Sequence, residues 1–398
     1  MDAEDKDLME RVDSAPVVKM VNALIESAFN VNASDIHIEP EADSTRIRFR
    51  IDGTLSEHMI LKKDLHELVT TRIKIISGMN IAEKRKPQDG AVRYSSEILS
   101  VDLRVSSIPT PLGEKVVMRL LGADTNITYD LDSIDIQEDI KDKLRAISKV
   151  PHGILLLTGP TGSGKTTTLY SLLNEVSTPE ISIVTVEDPV EKEFEGITQV
   201  QINERAGLTF AAGLRSILRQ DPDVIMLGEI RDAETASIAI RAAITGHFVL
   251  STLHTNDALS SVVRLIDMGV EPYMVASSVK AVIAQRLVKK NCPHCTAKVE
   301  LPNEDKLLFR EDDLTHAHKG MGCDRCSGSG YIGRVPVFEI IFVDETLENL
   351  IADKAPMNEL KRYVTSQGTQ FLKDDVVRLI KEGKTSIEEA KKILFSVN

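Results

Sequence analysis

Gly159-Pro160-Thr161-Gly162-Ser163-Gly164-Lys165-Thr166 is the stretch from which the rest of the chain can be read. It fits G-x-x-x-x-G-K-[ST] at every position. An apolar strand, Ile154–Leu157, precedes it, and Leu169, Leu172 and Leu173 share one face of a helix behind it. Glycines at 159, 162 and 164 let backbone N–H groups turn inward and cradle phosphate oxygens at a helix N-terminus. Lys165 is positioned to reach the β- and γ-phosphates, and the Thr166 hydroxyl to ligate Mg²⁺. Pro160, Thr161, Ser163 and Thr167 complete the candidate nucleotide-binding set. A glycine-rich turn can match such a pattern by chance, but the strand–loop–helix setting argues for nucleoside-triphosphate binding.

Working outward, four apolar runs are separated by helical stretches: Gly153–Thr158, Ile181–Val186, Val224–Leu227 and Phe248–Thr252. This predicts a mostly parallel sheet with crossover helices, an α/β core. Ligands of such sheets sit at the carboxyl ends of the strands. There the sequence places Glu187-Asp188-Pro189, Gly228-Glu229-Ile230-Arg231-Asp232 and, after the fourth run, His254. Metal-assisted hydrolysis needs a carboxylate near the γ-phosphate to orient water. Glu229 follows four apolar residues and should project from its strand tip; the alternative is a solvated acidic loop or a helix cap. Glu187 is the second candidate carboxylate. His254, at a strand end, is placed to contact the γ-phosphate; His247, at the strand start, is a weaker candidate. Arg215, Arg219 and Arg231 flank the Glu229 segment. Each is either a charge-stabilising finger or a salt-bridge partner of Asp221, Asp223 or Asp232.

Residues 1–15 are polar and read as a flexible lead-in. From Pro16 to Asn30 apolar residues recur at helical spacing. Ser34–Glu39 and Arg46–Ile51 then alternate with period two and close at Asp52-Gly53, which reads as a hairpin with one wet face. Leu61–Met79 returns to a helical pattern, and Val101–Val105 and Lys115–Leu121 are further strands. Residues 16–125 therefore form a small α+β domain. A linker is expected over 126–149, the phosphate-loop core over 150–290, a cysteine-bearing element over 291–335 and a helical segment over 336–398.

All four cysteines fall in two knuckles, Cys292-Pro293-His294-Cys295 and Cys323-Asp324-Arg325-Cys326, with 27 residues between them. Two C-x-x-C pairs with none left over read as a closed tetrahedral zinc site of structural role. Two disulfides or a redox pair are the rival readings. The former is disfavoured in a reducing compartment, and nothing nearby resembles a thioredoxin unit. The spacer predicts an excursion of its own. The chain has 398 residues and a net charge of −13, so it gains nothing from non-specific attraction to nucleic acid. No apolar run reaches the roughly 18–20 residues of a membrane span, and the acidic N-terminus is unlike a signal peptide. The expectation is a cytoplasmic protein whose membrane contact is indirect.

Together these residues resemble one family, the type II secretion and type IV pilus assembly ATPases of bacteria. The resemblance runs from Pro16 to the C-terminus. It is carried by Ala33-Ser34-Asp35-Ile36-His37-Ile38-Glu39-Pro40, Pro87-Gln88-Asp89-Gly90, the phosphate loop, Val186–Glu191, Leu218–Asp223, Gly228–Asp232 and Thr252–Asn256. It implies a RecA-like P-loop ATPase domain, a smaller PAS-like N-terminal domain and a Cys₄ zinc element. Gly159–Thr166 would be the Walker A motif, and Glu187 and Asp188 part of an acidic box. Glu229 would be the Walker B glutamate, and His247 and His254 a histidine box. Arg72, Arg215 and Arg231 match arginines that approach the nucleotide. The resemblance further implies a homohexameric ring, an inner-membrane platform protein and a cytoplasmic adaptor as partners, and ATP, Mg²⁺ and structural zinc as cofactors. The zinc element favours filament extension over retraction. Relatives usually carry a further N-terminal docking domain, so the chain is either shortened or an unusually short member. The expected function is an ATP-driven motor for type IV pilus assembly, with a hinge about residues 123–135. The alternatives are a type II secretion pseudopilus motor, a DNA-transfer motor and a non-hydrolysing, nucleotide-gated zinc-ribbon adaptor.

Overall fold

The computed structural model describes residues 12, 15–96, 99–121, 128–309 and 314–396. Most of the predicted lead-in (1–11, 13 and 14) and residues 122–127, at the start of the predicted linker and hinge, lie outside the described residues. The chain divides into two compact units, split between Asn126 and Ile127.

The first unit begins with helix α1 (Ala15–Asn30), which buries Val21, Leu24, Ile25 and Ala28 along one face, at the spacing the sequence announces. Strands β1 (Ala33–Pro40), β2 (Ser44–Ile51) and β3 (Thr54–Lys62) follow, then α2 (Asp64–Ile76), β4 (Gln88–Ser95), β5 (Ser100–Thr110) and β6 (Gly113–Leu121). They form one antiparallel sheet in the order β3-β2-β1-β6-β5-β4. Asp52 (φ 47°) and Gly53 (φ 80°) turn β2 into β3, with Ile51 paired to Thr54. A two-residue turn of this hand needs positive φ at both positions, which is why Gly is there. The helix expected over Leu61–Met79 starts only at Asp64; Leu61 and Lys62 close β3 instead. β3 is an edge strand in which only Leu61 is buried, so it carries no alternation for the sequence to reveal.

The second unit opens with a 3₁₀ turn, Leu131–Ser133, and α3 (Glu138–Ser148). This corrects the expected linker. Leu131 and Leu144 are fully buried against Leu155, Leu157, Leu169 and Tyr170, so from residue 128 this stretch belongs to the core that carries the phosphate loop. The chain continues through β7 (Gly153–Thr158), α4 (Lys165–Val176), β8 (Ile183–Glu187), β9 (Thr198–Gln201), α5 (Phe210–Ile217), β10 (Val224–Leu227), α6 (Ala233–Ile244), β11 (Phe248–Leu253), α7 (Ala258–Asp267), α8 (Pro272–Ser278) and β12 (Val279–Asn291). β13 (Thr296–Glu300), α9 (Asn303–Phe309) and β14 (His316–Gly320) come next. β15 (Tyr331–Phe342) and helices α10 (Glu345–Ala352), α11 (Met357–Ser366), α12 (Leu372–Lys381) and α13 (Ile387–Ser396) complete the chain.

The sheet order is β15-β12-β7-β11-β10-β8-β9. β12, β7, β11, β10, β8 and β9 run parallel, and β15 pairs antiparallel on the edge. Both faces are covered, so β7, β8, β10 and β11 are buried throughout. The boundary expected at 290 and the purely helical tail both give way to β15, whose Pro336 is accommodated because the strand lies at the edge. Among the described residues no helix is long and apolar enough to cross a membrane.

Candidate nucleotide site and tetracysteine centre

The phosphate loop joins β7 to α4 at the carboxyl end of the sheet. Gly159 (φ 146°) lies against β12: a Cβ there would stand 2.4 Å from the Gln285 carbonyl oxygen and 2.8 Å from Ser163 Oγ. Gly164 (φ 86°) caps α4 in the left-handed region, and a Cβ there would meet Gln285 Nε2 at 2.8 Å. Close backbone approach and positive φ thus demand glycine at both positions. The first-turn amides of α4 carry no intrahelical partner. Lys165 Nζ folds back and donates to the carbonyls of Gly159 (2.8 Å) and Pro160 (3.1 Å). Burial pulls its ammonium down to about 8, with Glu229 opposing and Arg286 reinforcing the shift. Ser163 Oγ is buried without a hydrogen-bond partner, and Thr161 and Thr166 are exposed. A narrow backbone cradle, a partly desolvated ammonium and an unpaired hydroxyl suit a polyphosphate, with the Thr166 hydroxyl free to meet a magnesium ion.

Glu229 stands just past the end of β10, its side chain 16% exposed. Arg231 Nη2 pairs with Oε1, and His254 Nε2 lies 3.0 Å from Oε2. Burial pushes the carboxyl up, but the hydrogen bonds from Arg231 and His254 outweigh it and hold the group below its ordinary range. Arg231 also reaches Asp188 Oδ2 at 4.0 Å and lies 5.9 Å from the centre of the Phe210 ring. The sequence signals for Glu229, Arg231 and His254 therefore converge on one cluster. Thr252 Oγ1 donates to the Gly228 carbonyl (2.8 Å) and Ile230 N to the Thr252 carbonyl (2.9 Å), which ties the Glu229 segment to β11.

Other candidates lie elsewhere. Glu187 is 3% exposed and accepts from the Tyr170 hydroxyl, the Thr185 hydroxyl (2.5 Å) and Gln199 Nε2 (3.0 Å). Burial, then the neighbouring Glu187, drive the Tyr170 hydroxyl far above its usual pKa. Buried, and with three donors converging on its two oxygens, Glu187 offers no face to a water, which corrects its expected catalytic placement. His247 stands at the opposite end of β11, its Nδ1 3.1 Å from the Ala242 carbonyl and its own carbonyl accepting from Gly153 N. Seven residues at strand rise set it about 23 Å from His254, so it cannot touch a nucleotide on this chain's own phosphate loop. Arg215 pairs with Glu234, not with Asp221, Asp223 or Asp232. Asp232 instead caps α6 through Thr235 N (2.8 Å). Arg72 lies on α2 of the first unit.

Gln285 and Arg286 escaped the sequence reading. Gln285 Oε1 accepts from Thr168 Oγ1 at 2.9 Å, so β12 braces the first turn of α4. A polar pair inside the otherwise apolar Ala281–Val288 was the available signal.

The four cysteines are free thiols whose sulfurs all lie within 4.8 Å of one another. Three of the separations are 3.9, 3.8 and 3.7 Å. With Zn–S bonds of about 2.3 Å, tetrahedral thiolates stand about 3.8 Å apart. The donor set therefore fits zinc and leaves no position for water. The 27-residue spacer folds as the excursion β13–α9–β14.

Comparison with known proteins agrees with this geometry. The family model "Type II/IV secretion system protein" matches residues 10–392. "Type II secretion system ATPase E" of Vibrio cholerae is 45% identical over 393 residues, 98% of this chain and 78% of that protein. "Type IV pilus assembly ATPase PilB" of Thermus thermophilus is 44% identical over 384 residues, 95% of this chain and 43% of that protein. Among solved structures, the pilus retraction motor PilT with bound ADP superposes with a TM-score of 0.63 at 25% identity, covering 93% of this chain and 96% of that one. The Legionella pneumophila ATPase DotB shares the fold, with a TM-score of 0.71 at 23% identity and coverage of 94% and 95%. The chain belongs to the type II/IV secretion-system family and is an ATPase with a RecA-like core.

Proposed function

We propose that the chain is a homohexameric motor at the cytoplasmic side of the inner membrane that powers type IV pilus assembly. It hands its motion to a platform protein in that membrane, with a cytoplasmic adaptor as second partner, and it touches neither nucleic acid nor lipid directly. The observation that carries the hydrolytic part is the grip of Arg231 and His254 on Glu229 at the strand end behind the phosphate loop. Lys165 neutralises phosphate charge. Glu229 orients a water and takes its proton as the oxygen attacks the γ-phosphorus and ADP departs. His254 senses the γ-phosphate through the same carboxylate. Mg²⁺, when bound, spreads the developing negative charge from a site at the Thr166 hydroxyl. Glu187 serves the fold as a buried hub. Arg215, on exchanging its Glu234 partner, and Arg72 of the first unit would approach a nucleotide from elsewhere in a ring. Cys292, Cys295, Cys323 and Cys326 hold zinc in a structural role.

A second reading, the motor of a type II secretion pseudopilus, is favoured by the Vibrio cholerae relative, matched over 98% of this chain. Steady-state Mg·ATP turnover, measured with native mass spectrometry of the assembly, tests the motor. Turnover in a hexamer supports it, and equal rates in wild type and Glu229→Gln would remove it. Deleting the gene in its host separates the clients: loss of surface filaments supports the pilus, and loss of secreted protein with filaments intact supports the second reading. Metal analysis should give one zinc per chain, lost in Cys292→Ser.

A further inference from the structure

Arg286 is a charged side chain only 5% exposed, in the middle of β12 beside the phosphate loop. Its Nη1 donates to the Gln285 carbonyl at 3.0 Å and lies 3.0 Å from where a Cβ on Gly159 would sit. Its Nη2 donates to the Asn256 carbonyl at 2.7 Å. No carboxylate lies within ion-pair distance among the described residues; Glu339 and Asp257 act on it only at longer range. A buried guanidinium without a direct counter-ion is costly to keep, so it is retained for what its two arms hold.

One arm lies against the phosphate loop and the other grips the chain two residues beyond His254. That same segment is fixed from other sides. Thr255 N donates to Thr158 Oγ1 (2.8 Å), and Thr255 Oγ1 lies 2.7 Å from both Thr158 Oγ1 and Ser261 Oγ. Ala258 N donates to Glu339 Oε1 at 2.9 Å. The loop after β11 is therefore anchored at its base, and the His254 side chain reaches from it to Glu229.

We infer that Arg286 is a positioning residue: it clamps the His254-bearing loop to β12, the strand against which the phosphate loop packs, and so sets where His254 holds the Glu229 carboxylate. The inference rests on the reading of Glu229 and His254 above. Small misplacements of such groups cost roughly a hundredfold per ångström, so loosening this clamp should be visible in turnover before it is visible in binding.

The test is a double-mutant cycle on the full-length assembly. Mg·ATP turnover and the affinity for a fluorescent ADP analogue are measured for wild type, Arg286→Gln, Arg286→Lys, His254→Ala and the Arg286→Gln/His254→Ala pair. Arg286→Gln should lower kcat about tenfold or more with ADP affinity little changed. The pair should be no slower than the slower single variant, because both changes disturb one contact. Arg286→Lys keeps the charge but has only one arm, and should fall between wild type and Arg286→Gln. Multiplying effects in the pair, or kcat at the wild-type level in Arg286→Gln, overturn the inference. If Arg286→Gln does not fold, Arg286→Lys combined with His254→Ala runs the same cycle. A Glu229→Gln control keeps the two readings apart: full activity there sinks the hydrolytic assignment, whereas an inactive Glu229→Gln beside a fully active Arg286→Gln sinks only the clamp.

Discussion

Two glutamates end neighbouring strands of one parallel sheet, and they live differently. β8 and β10 are paired so that Val186 lies opposite Leu227; one strand then delivers Glu187 and the other Glu229. Glu187 turns into the interior and is saturated by two hydroxyls and an amide. Glu229 is half-buried and held by one cation and one imidazole, both of them about half exposed, so its surroundings open to solvent where those of Glu187 do not. The strand end brings a carboxylate to the site. The partners around it decide whether it can do chemistry.

The largest expected effect is on Glu229. Glu229→Gln should reduce kcat by roughly 10²–10⁴-fold while leaving thermal stability near wild type, since it removes a proton acceptor and little packing. Glu187→Gln should do the reverse: loss of about 1–3 kcal/mol in chemical denaturation, with turnover per folded molecule near wild type. An inactive but stable Glu187→Gln protein would break the comparison. Arg231→Gln sharpens it through pH. With its carboxyl held below the ordinary range, Glu229 stays charged as pH falls through that range. The stability it contributes is present above its unfolded pKa and is lost as pH falls towards the lower folded value. Removing Arg231 should move the acid limb of kcat/KM upward, towards the ordinary glutamate value of about 4.3, read from pH–rate profiles carried as far into acid as the protein stays folded. The smallest effect belongs to Thr185→Val, which removes one of three donors to Glu187 and should cost about 1 kcal/mol without moving any pH limb.

The sequence made the nucleotide end of the core readable because that end is written in short range. Each parallel strand is an apolar run, and the chemistry follows within two residues, as in Leu227-Gly228-Glu229. Glu229, Arg231 and His254 were found that way. What it concealed depends on distant partners. Glu187 and Glu229 look alike along the chain; only Tyr170, Thr185 and Gln199 separate them, and two of these lie more than ten residues away. β3 was hidden because an edge strand with both faces wet has no period. β12 and β15 were hidden because Gln285, Arg286 and Pro336 interrupt runs that would otherwise read as strand. The stretch after residue 128 looked like a polar connection because a few apolar side chains, Leu131 and Leu144 foremost, do all its anchoring. The cysteine quartet needed no such help, since ligand spacing is itself a local signal.

β12 has a mechanical meaning beyond its hydrogen bonds. Gln285 braces the helix that follows the phosphate loop, and seven residues later, roughly 23 Å along a strand, the chain reaches Cys292 of the cysteine cluster. The pairing with β15 shifts register between Lys289 and Asn291, and just past that shift Asn291 is pinned by the carbonyls of His318 and Gly383. The cysteine knuckle is consequently an outrigger of the ATPase sheet: β12 carries it, β15 and the Asn291 amide brace it, and whatever takes hold of it takes hold of the strand behind the phosphate loop.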